Sequence, residues 1–230
     1  MGFNDGFNDL IKSYGKDSIN LSPPQPVTEK TAEITPTPQK INLQKGQKVS
    51  LVKCGNNIKG EISINLNWKQ QTGFTAKPVD LDLGCLYELK DGSKGTIQAL
   101  GKRFGSLNQP PYIMLDGDDR TGESSNGETL RINAEKVSEI KRILVYAFIY
   151  DGSADWQGTD GVVTVKCAGS PEVVVKMDEY GSNLTLCAVA LLENVNDNFT
   201  VKKVVEFYKN QVYADNAFNW GLKWKAGKKD

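Results

Sequence analysis

From Ile41 onward, apolar and polar residues alternate mostly with a period of two. Glu61-Ile-Ser-Ile-Asn-Leu-Asn67 alternates strictly and places Ile62, Ile64 and Leu66 on one face of a strand. Gly161-Val-Val-Thr-Val-Lys-Cys167 does the same with Val163, Val165 and Cys167. Two runs, Ile143 to Tyr150 and Leu184 to Leu192, are almost wholly apolar. Their β-branched and aromatic content predicts strands buried on both faces. Shorter strands are predicted at 47–53, 81–89, 112–115, 129–133, 172–177 and 218–224. Val201 to Tyr208 fits a helix through Val201, Val204, Val205 and Tyr208, but its β-branched content leans to strand. Asp91-Gly92, Asp151-Gly152 and Asn196-Asp197 supply turns between runs. Many short strands joined by polar turns predict an all-β fold, an antiparallel β-sandwich.

Residues 1–40 break this pattern. Between 21 and 40 the chain carries Pro23, Pro24, Pro26, Pro36 and Pro38 among Thr, Glu, Lys and Gln. Such a segment buries too little apolar surface to order itself and reads as an extended, disordered arm. Ahead of it, Gly2-Phe-Asn-Asp5 is repeated as Gly6-Phe-Asn-Asp9. Phe3, Phe7, Leu10 and Ile11 fall on one face of a short helix. That stripe suits a docking peptide that folds on a partner, or a frayed start. The expected organisation is therefore an arm over 1–40 and a β-sandwich domain over 41–230.

Charge and composition narrow the chemistry. The 230 residues hold 28 Lys plus Arg and 28 Asp plus Glu, so no global field draws in nucleic acid or an anionic membrane. No apolar run approaches a membrane span, and the start lacks a basic segment followed by an apolar one, so the cytosol is the expected compartment. Histidine is absent, which removes the commonest general base and most zinc and copper sites. Cys54, Cys85, Cys167 and Cys187 lie far apart. Three of them, Cys85, Cys167 and Cys187, sit in apolar runs, where a thiol behaves as a small hydrophobe. A thiol reacting with an oxyanion is the sharper alternative.

Carboxylates crowd into one stretch, Leu115-Asp-Gly-Asp-Asp-Arg-Thr-Gly-Glu-Ser-Ser-Asn-Gly-Glu128. Crowded carboxylates repel one another, and a hard cation reverses that cost. Calcium takes about six to eight oxygens from carboxylates, amides and carbonyls. Asp, Asn, Ser and Gly are also ordinary residues of a solvated turn. An EF-hand does not fit, because a loop starting at Asp116 puts Arg120 at a ligand position and Gly127 at the terminal glutamate. A calcium here must share ligands with another part of the chain. Asp80 and Asp82 alternate along a predicted strand, so both point one way while Leu81 and Leu83 point into the core. Asp151, first in the turn after a buried strand, is a further ligand candidate or simply a turn residue.

Val79-Asp-Leu-Asp-Leu-Gly-Cys85, Leu115-Asp-Gly-Asp-Asp-Arg-Thr-Gly122 and Val145-Tyr-Ala-Phe-Ile-Tyr-Asp-Gly152 together resemble the TerD-domain family of tellurium-resistance and stress proteins. Leu43-Gln-Lys-Gly-Gln-Lys-Val-Ser-Leu51 fits the family's start. Pro110-Pro-Tyr-Ile-Met-Leu-Asp116, Thr159-Asp-Gly-Val-Val-Thr164 and Trp220-Gly-Leu-Lys-Trp224 are most similar to its TerA-type branch. The resemblance covers roughly residues 41–225. It implies an antiparallel β-sandwich with calcium in loops at one end, and no enzymatic reaction. It carries calcium ligation onto Asp80, Asp82, Asp118, Asp119, Thr121 and Glu128, and Asp116 and Asp151 complete the expected metal-binding residues. It implies partners among other tellurium-resistance and stress proteins, including membrane-associated and von Willebrand A-type ones, that recruit the protein to the inner face of the membrane. Two departures stand out: Asn126-Gly127-Glu128 is shorter and less acidic than the family's loop end, and Trp68-Lys69 replaces a frequent Trp-Asp. They point to one calcium, or weaker binding, as the alternative to a two-ion site.

The expected function is a non-enzymatic calcium-binding module of a tellurite-resistance and general stress system. The alternatives are a calcium-independent scaffold and a cysteine-based handler of tellurium oxyanions.

Overall fold

The computed structural model describes residues 39–51, 60–69, 79–117, 127–152, 156–179 and 183–225. Thirteen strands are found among them: β1 (Lys40–Asn42), β2 (Lys48–Ser50), β3 (Glu61–Asn67), β4 (Asp80–Leu89), β5 (Lys94–Ile97), β6 (Gly105–Ser106), β7 (Ile113–Leu115), β8 (Glu128–Asn133), β9 (Ile140–Asp151), β10 (Val162–Lys166), β11 (Glu172–Lys176), β12 (Leu186–Val195) and β13 (Asn198–Tyr208). Two short helices, α1 (Trp156–Thr159) and α2 (Gln211–Ala217), complete the set with two 3-10 turns. All belong to the unit Thr37–Asp230. The first strand begins at Lys40, the last residue of the expected arm. Phe3, Phe7, Leu10, Ile11 and the proline-rich stretch lie outside the described residues. No helix among the described residues is long and apolar enough to cross a membrane.

The strands form two sheets. One has seven strands in the order β1-β11-β10-β3-β8-β7-β6, and the other has six in the order β2-β13-β12-β9-β4-β5. Every pairing is antiparallel except β1 with β11. Alternation decides which residues face inward. Ile62, Ile64 and Leu66 of β3 enter one core with Leu130 and Ile132 of β8 and Val163 and Val165 of β10. Leu81, Leu83, Val145, Ala147, Cys187 and Val189 meet them from the six-stranded sheet. Each fully buried aliphatic side chain contributes about 1.5–3 kcal/mol.

The almost wholly apolar runs have a physical cause in a second core. The outer face of the six-stranded sheet is covered too. Leu86, Leu144, Tyr146, Leu186, Ala188 and Val204 pack there against Ala214 of α2 and against Trp220. Both faces are thus buried along the middle of β9, Ile143 to Ala147, and the first half of β12, Leu186 to Ala190. Gly84 of β4 is required by close approach: a Cβ there would lie within 2.6 Å of the Tyr146 ring.

The prediction at 218–224 is corrected. That segment forms no strand but a strap across the outer face. Asp215, 1 % exposed, organises it. Its carboxylate accepts hydrogen bonds from Gly221 N–H (2.5 Å), Leu222 N–H (2.9 Å) and Trp224 Nε1–H (2.6 Å). Backbone donors that a ladder would have paired are paired by one buried carboxylate instead. Val201 to Tyr208 resolves to strand within β13.

Candidate functional site

At one end of the sandwich, the starts of β4 and β8 meet the ends of β3 and β9. Asp80 opens β4 and stands directly opposite Asp151, the last residue of β9. Like charges directly opposite on neighbouring strands are destabilising. Asp82 follows two residues later on the same face and is only 3 % exposed. Leu81 and Leu83, fully buried, turn into the inner core. Asp82 therefore shares the outer face with Gly84 and the Tyr146 ring. Burial drives the Tyr146 phenol well above its ordinary range, and the charge on Asp82 adds a smaller push the same way. Asp80 Oδ1 and Asp82 Oδ2 are buried and accept no hydrogen bond, although both residues make other interactions.

Glu128 approaches the same strand from the other sheet. It is the first residue of β8 and is 2 % exposed. Its Oε2 accepts a hydrogen bond of 2.6 Å from Leu83 N–H. That amide belongs to the peptide bond joining Asp82 to Leu83, so the Glu128 carboxylate lies one peptide from Asp82. Local packing sets its place. Gly127 has φ +57, and a Cβ there would overlap the Leu66 carbonyl oxygen, so β8 can start hard against the end of β3. Trp68 Nε1–H donates to Val79 O (3.1 Å), which seats the start of β4 in the same way.

The remaining candidates are engaged differently. Asp116 follows β7, and both its oxygens accept from Arg131 Nε–H at 2.7 and 2.6 Å. Arg131 also donates from Nη1 to Glu61 Oε2 (2.9 Å). Arg131 alternates with the core residues Leu130 and Ile132, so this cluster lies on the outer face of the seven-stranded sheet. Asp116 is thus set apart from Asp80 and Asp82. Asp151 is exposed, and its Oδ1 accepts from Gly152 N–H (2.8 Å), the bond of a turn residue. Asp118, Asp119 and Thr121 lie outside the described residues. Among the described residues, no three His, Cys, Asp or Glu side chains are arranged to hold a metal. The donor chemistry is nonetheless that of a hard cation: Asp80, Asp82, Asp151 and Glu128 offer only oxygen.

The TerD domain model matches residues 40–168, from β1 through the end of β10. The chain belongs to the TerD-domain family. All four acidic residues at this end of the TerD fold lie within the match. Over its whole length the chain is 40% identical, across 243 aligned positions, to "Tellurium resistance protein TerA" from Alcaligenes sp, and it covers 70% of that protein. Its fold is similar to the crystal structure of a protein of unknown function, with TM-score 0.51, 15% identity, 65% of this chain and 90% of that one covered. A homologue of the telluride resistance protein TerD from Streptomyces coelicolor A3(2) superposes with TM-score 0.49, at 18% identity and the same coverage.

The cysteines of this TerD domain sit where the apolar runs put them. Cys85, Cys167 and Cys187 are buried free thiols, and Cys54 lies outside the described residues. Burial pushes the Cys85 thiol up to about 12 and raises that of Cys187 as well. At neutral pH almost none of either is thiolate, the reactive form. Native protein treated with a thiol reagent and mapped by mass spectrometry should leave Cys85 and Cys187 unmodified, and denaturant should release both. Rapid modification of either in the native state would contradict this burial.

Proposed function

We propose that this chain is a non-enzymatic calcium-binding module of a tellurite-resistance and general stress-response system, acting through protein partners. The observation that carries the reading is the gathering of Asp80, Asp82, Asp151 and Glu128 at one end of the two sheets. Asp80 opposite Asp151, with buried Asp82 beside them, brings like charges together, a repulsion that a bound cation would offset. Asp80, Asp82 and Glu128 would each contribute oxygens, with Asp151 at the edge, and the set would be completed by Asp118, Asp119 and Thr121 from the chain between β7 and β8. Bound calcium would neutralise that charge. The residues themselves would tie β4 to β8, and so one sheet to the other. The connection to tellurium resistance is supported by the name of the TerA relative. A non-enzymatic role is supported by the absence of histidine from the chain and by the buried thiols. The family resemblance supports membrane-associated and von Willebrand A-type partners, recruiting a cytoplasmic protein to the inner face of the membrane.

A calcium-independent scaffold is the second reading. It is favoured by the pairing of Asp116 with Arg131 and of Glu128 with Leu83 N–H, which satisfies two carboxylates with protein donors. Calcium titration of the full chain separates the two. Calorimetry should show saturable heat, and the melting temperature should rise. Free calcium at a hundred times Kd adds about 2.7 kcal/mol of stability. Magnesium should compete poorly, because it demands a compact octahedron and sheds water reluctantly. No heat and no melting shift would leave the scaffold.

A further inference from the structure

The cations of this charge-balanced chain are not spread evenly. A cleft of about 270 Å³ runs between β5 and the carboxy-terminal strap. Four of its lining side chains are cationic, Lys94, Arg103, Lys223 and Lys225, and none is a carboxylate. Trp224 forms part of the wall. We propose that this cleft is a binding site for a small multivalent oxyanion, a phosphate-class dianion.

Three features of the cleft argue for it. First, its charge is not neutralised from within. Among the described residues, Arg103, Lys223 and Lys225 take part in no ion pair. Lys94 lies 3.9 Å from Glu88, but Glu88 is already balanced by Lys141 (2.8 Å) and Arg142 (2.6 Å). Four cations around one concavity repel one another and focus a positive potential into it. An anion with two charges relieves both costs. Second, the walls are fixed before a ligand arrives. Gln98 and Arg103 exchange backbone hydrogen bonds of 3.0 and 3.2 Å, which holds the Arg103 backbone at the rim. Asp215 grips Leu222 N–H and Trp224 Nε1–H, which holds the strap carrying Lys223 and Lys225. Third, the neutral side chains with donors in the walls, Thr96, Gln98 and Trp224, each already donate one hydrogen bond within the protein. Thr96 Oγ1–H donates to Cys85 O (3.0 Å) and Gln98 Nε2–H donates to Leu100 O (3.2 Å). Recognition therefore falls to charge, which selects dianions over neutral or singly charged ligands. The volume admits a free inorganic ion and also the phosphoryl end of a larger molecule.

The site lies on residues distinct from the acidic end, and it stands whether or not calcium binds there. The test is calorimetry at low salt of the full chain, stripped of calcium with EDTA and then dialysed free of the chelator, with inorganic phosphate, tellurite, glycerol 3-phosphate and chloride as probes. Tryptophan fluorescence is followed in parallel, since Trp224 lies in the cleft wall. The dianions should bind saturably, and chloride should not. Tighter binding of glycerol 3-phosphate than of the inorganic ions would identify a phosphorylated organic ligand, and the reverse a free oxyanion. Lys223→Gln/Lys225→Gln should weaken binding about tenfold, from two lost charges at contact range. Its melting temperature should not change, and Lys136→Gln, outside the cleft, should bind as the parent does. Arg103→Gln serves as a second variant should the double variant fold poorly. Unsaturable binding, or affinity unchanged in both cleft variants, would overturn the proposal.

Discussion

Replacing Trp220 with alanine should destabilise the domain by about 3–5 kcal/mol, the range for truncating a fully buried aromatic. For a domain of this size that is a fall of roughly 10 °C in melting temperature. Trp220 is 1 % exposed and lies in the middle of the strap. It packs on the outer-face cluster of Leu86, Leu144, Tyr146, Leu186 and Val204. Its Nε1–H donates to Tyr87 O (2.9 Å), and the Arg142 guanidinium lies 3.8 Å from the ring centroid. Arg142 is itself held by Glu88 and donates to the carbonyls of Phe218 and Asn219. Burial pushes the Glu88 carboxyl up, but hydrogen bonds from Lys141 and Arg142 outweigh it and hold the group below its usual range. Losing the indole thus leaves a cavity, an exposed sheet face and a loosened charge cluster together. Chemical denaturation of Trp220→Ala measures the loss. A change below about 0.5 kcal/mol, the range of a surface substitution, would mean that the strap is not docked on the sheet.

The strap also marks how far the pattern of residues carried. β3 was legible residue for residue, Glu61–Asn67, because one of its faces is core and the other is not. The runs at 143–150 and 184–192 were legible as doubly buried strands over most of their length, and the outer-face cluster explains why, but Tyr150 and Leu184 at their ends are exposed. The alternation of Phe218, Trp220, Leu222 and Trp224 has the same period of two, yet it belongs to a strap whose amides are paired by a carboxylate. Periodicity reports which faces are buried and not what pairs the backbone. β1, β5 and β6 have two to four residues each, too few for any period to show. At the acidic end, the shared direction of Asp80 and Asp82 followed from strand alternation. The inward turn of Glu128 to Leu83 N–H did not, because it depends on how two sheets stack. Nor did the pairing of Asp116 with Arg131, which needs the register of β7 on β8. The basic cleft was invisible for a similar reason: Lys94 and Arg103 come from a hairpin, and Lys223 and Lys225 from the strap, more than a hundred residues later.

Asp82→Asn should separate the metal role of the acidic end from a structural one. In EDTA the substitution keeps the size and hydrogen-bonding shape of the side chain and removes one negative charge. Asp80, Asp151 and Glu128 then lose a repulsive neighbour, so the variant should melt at the parent's temperature or slightly above. With calcium the sign reverses. A charged ligand has become a weaker neutral one, and affinity should fall about ten- to a hundredfold, or about 1.4–2.7 kcal/mol. The melting shift at a fixed calcium concentration should shrink accordingly. Asp116→Asn provides the contrast. Its carboxylate is engaged by Arg131 on the other sheet's outer face, so calcium affinity should change little. If Asp82→Asn instead loses several kcal/mol in EDTA and keeps the parent's response to calcium, Asp82 is a buried hydrogen-bonding residue of the sheet. The four carboxylates would then brace β4 against β8 without an ion.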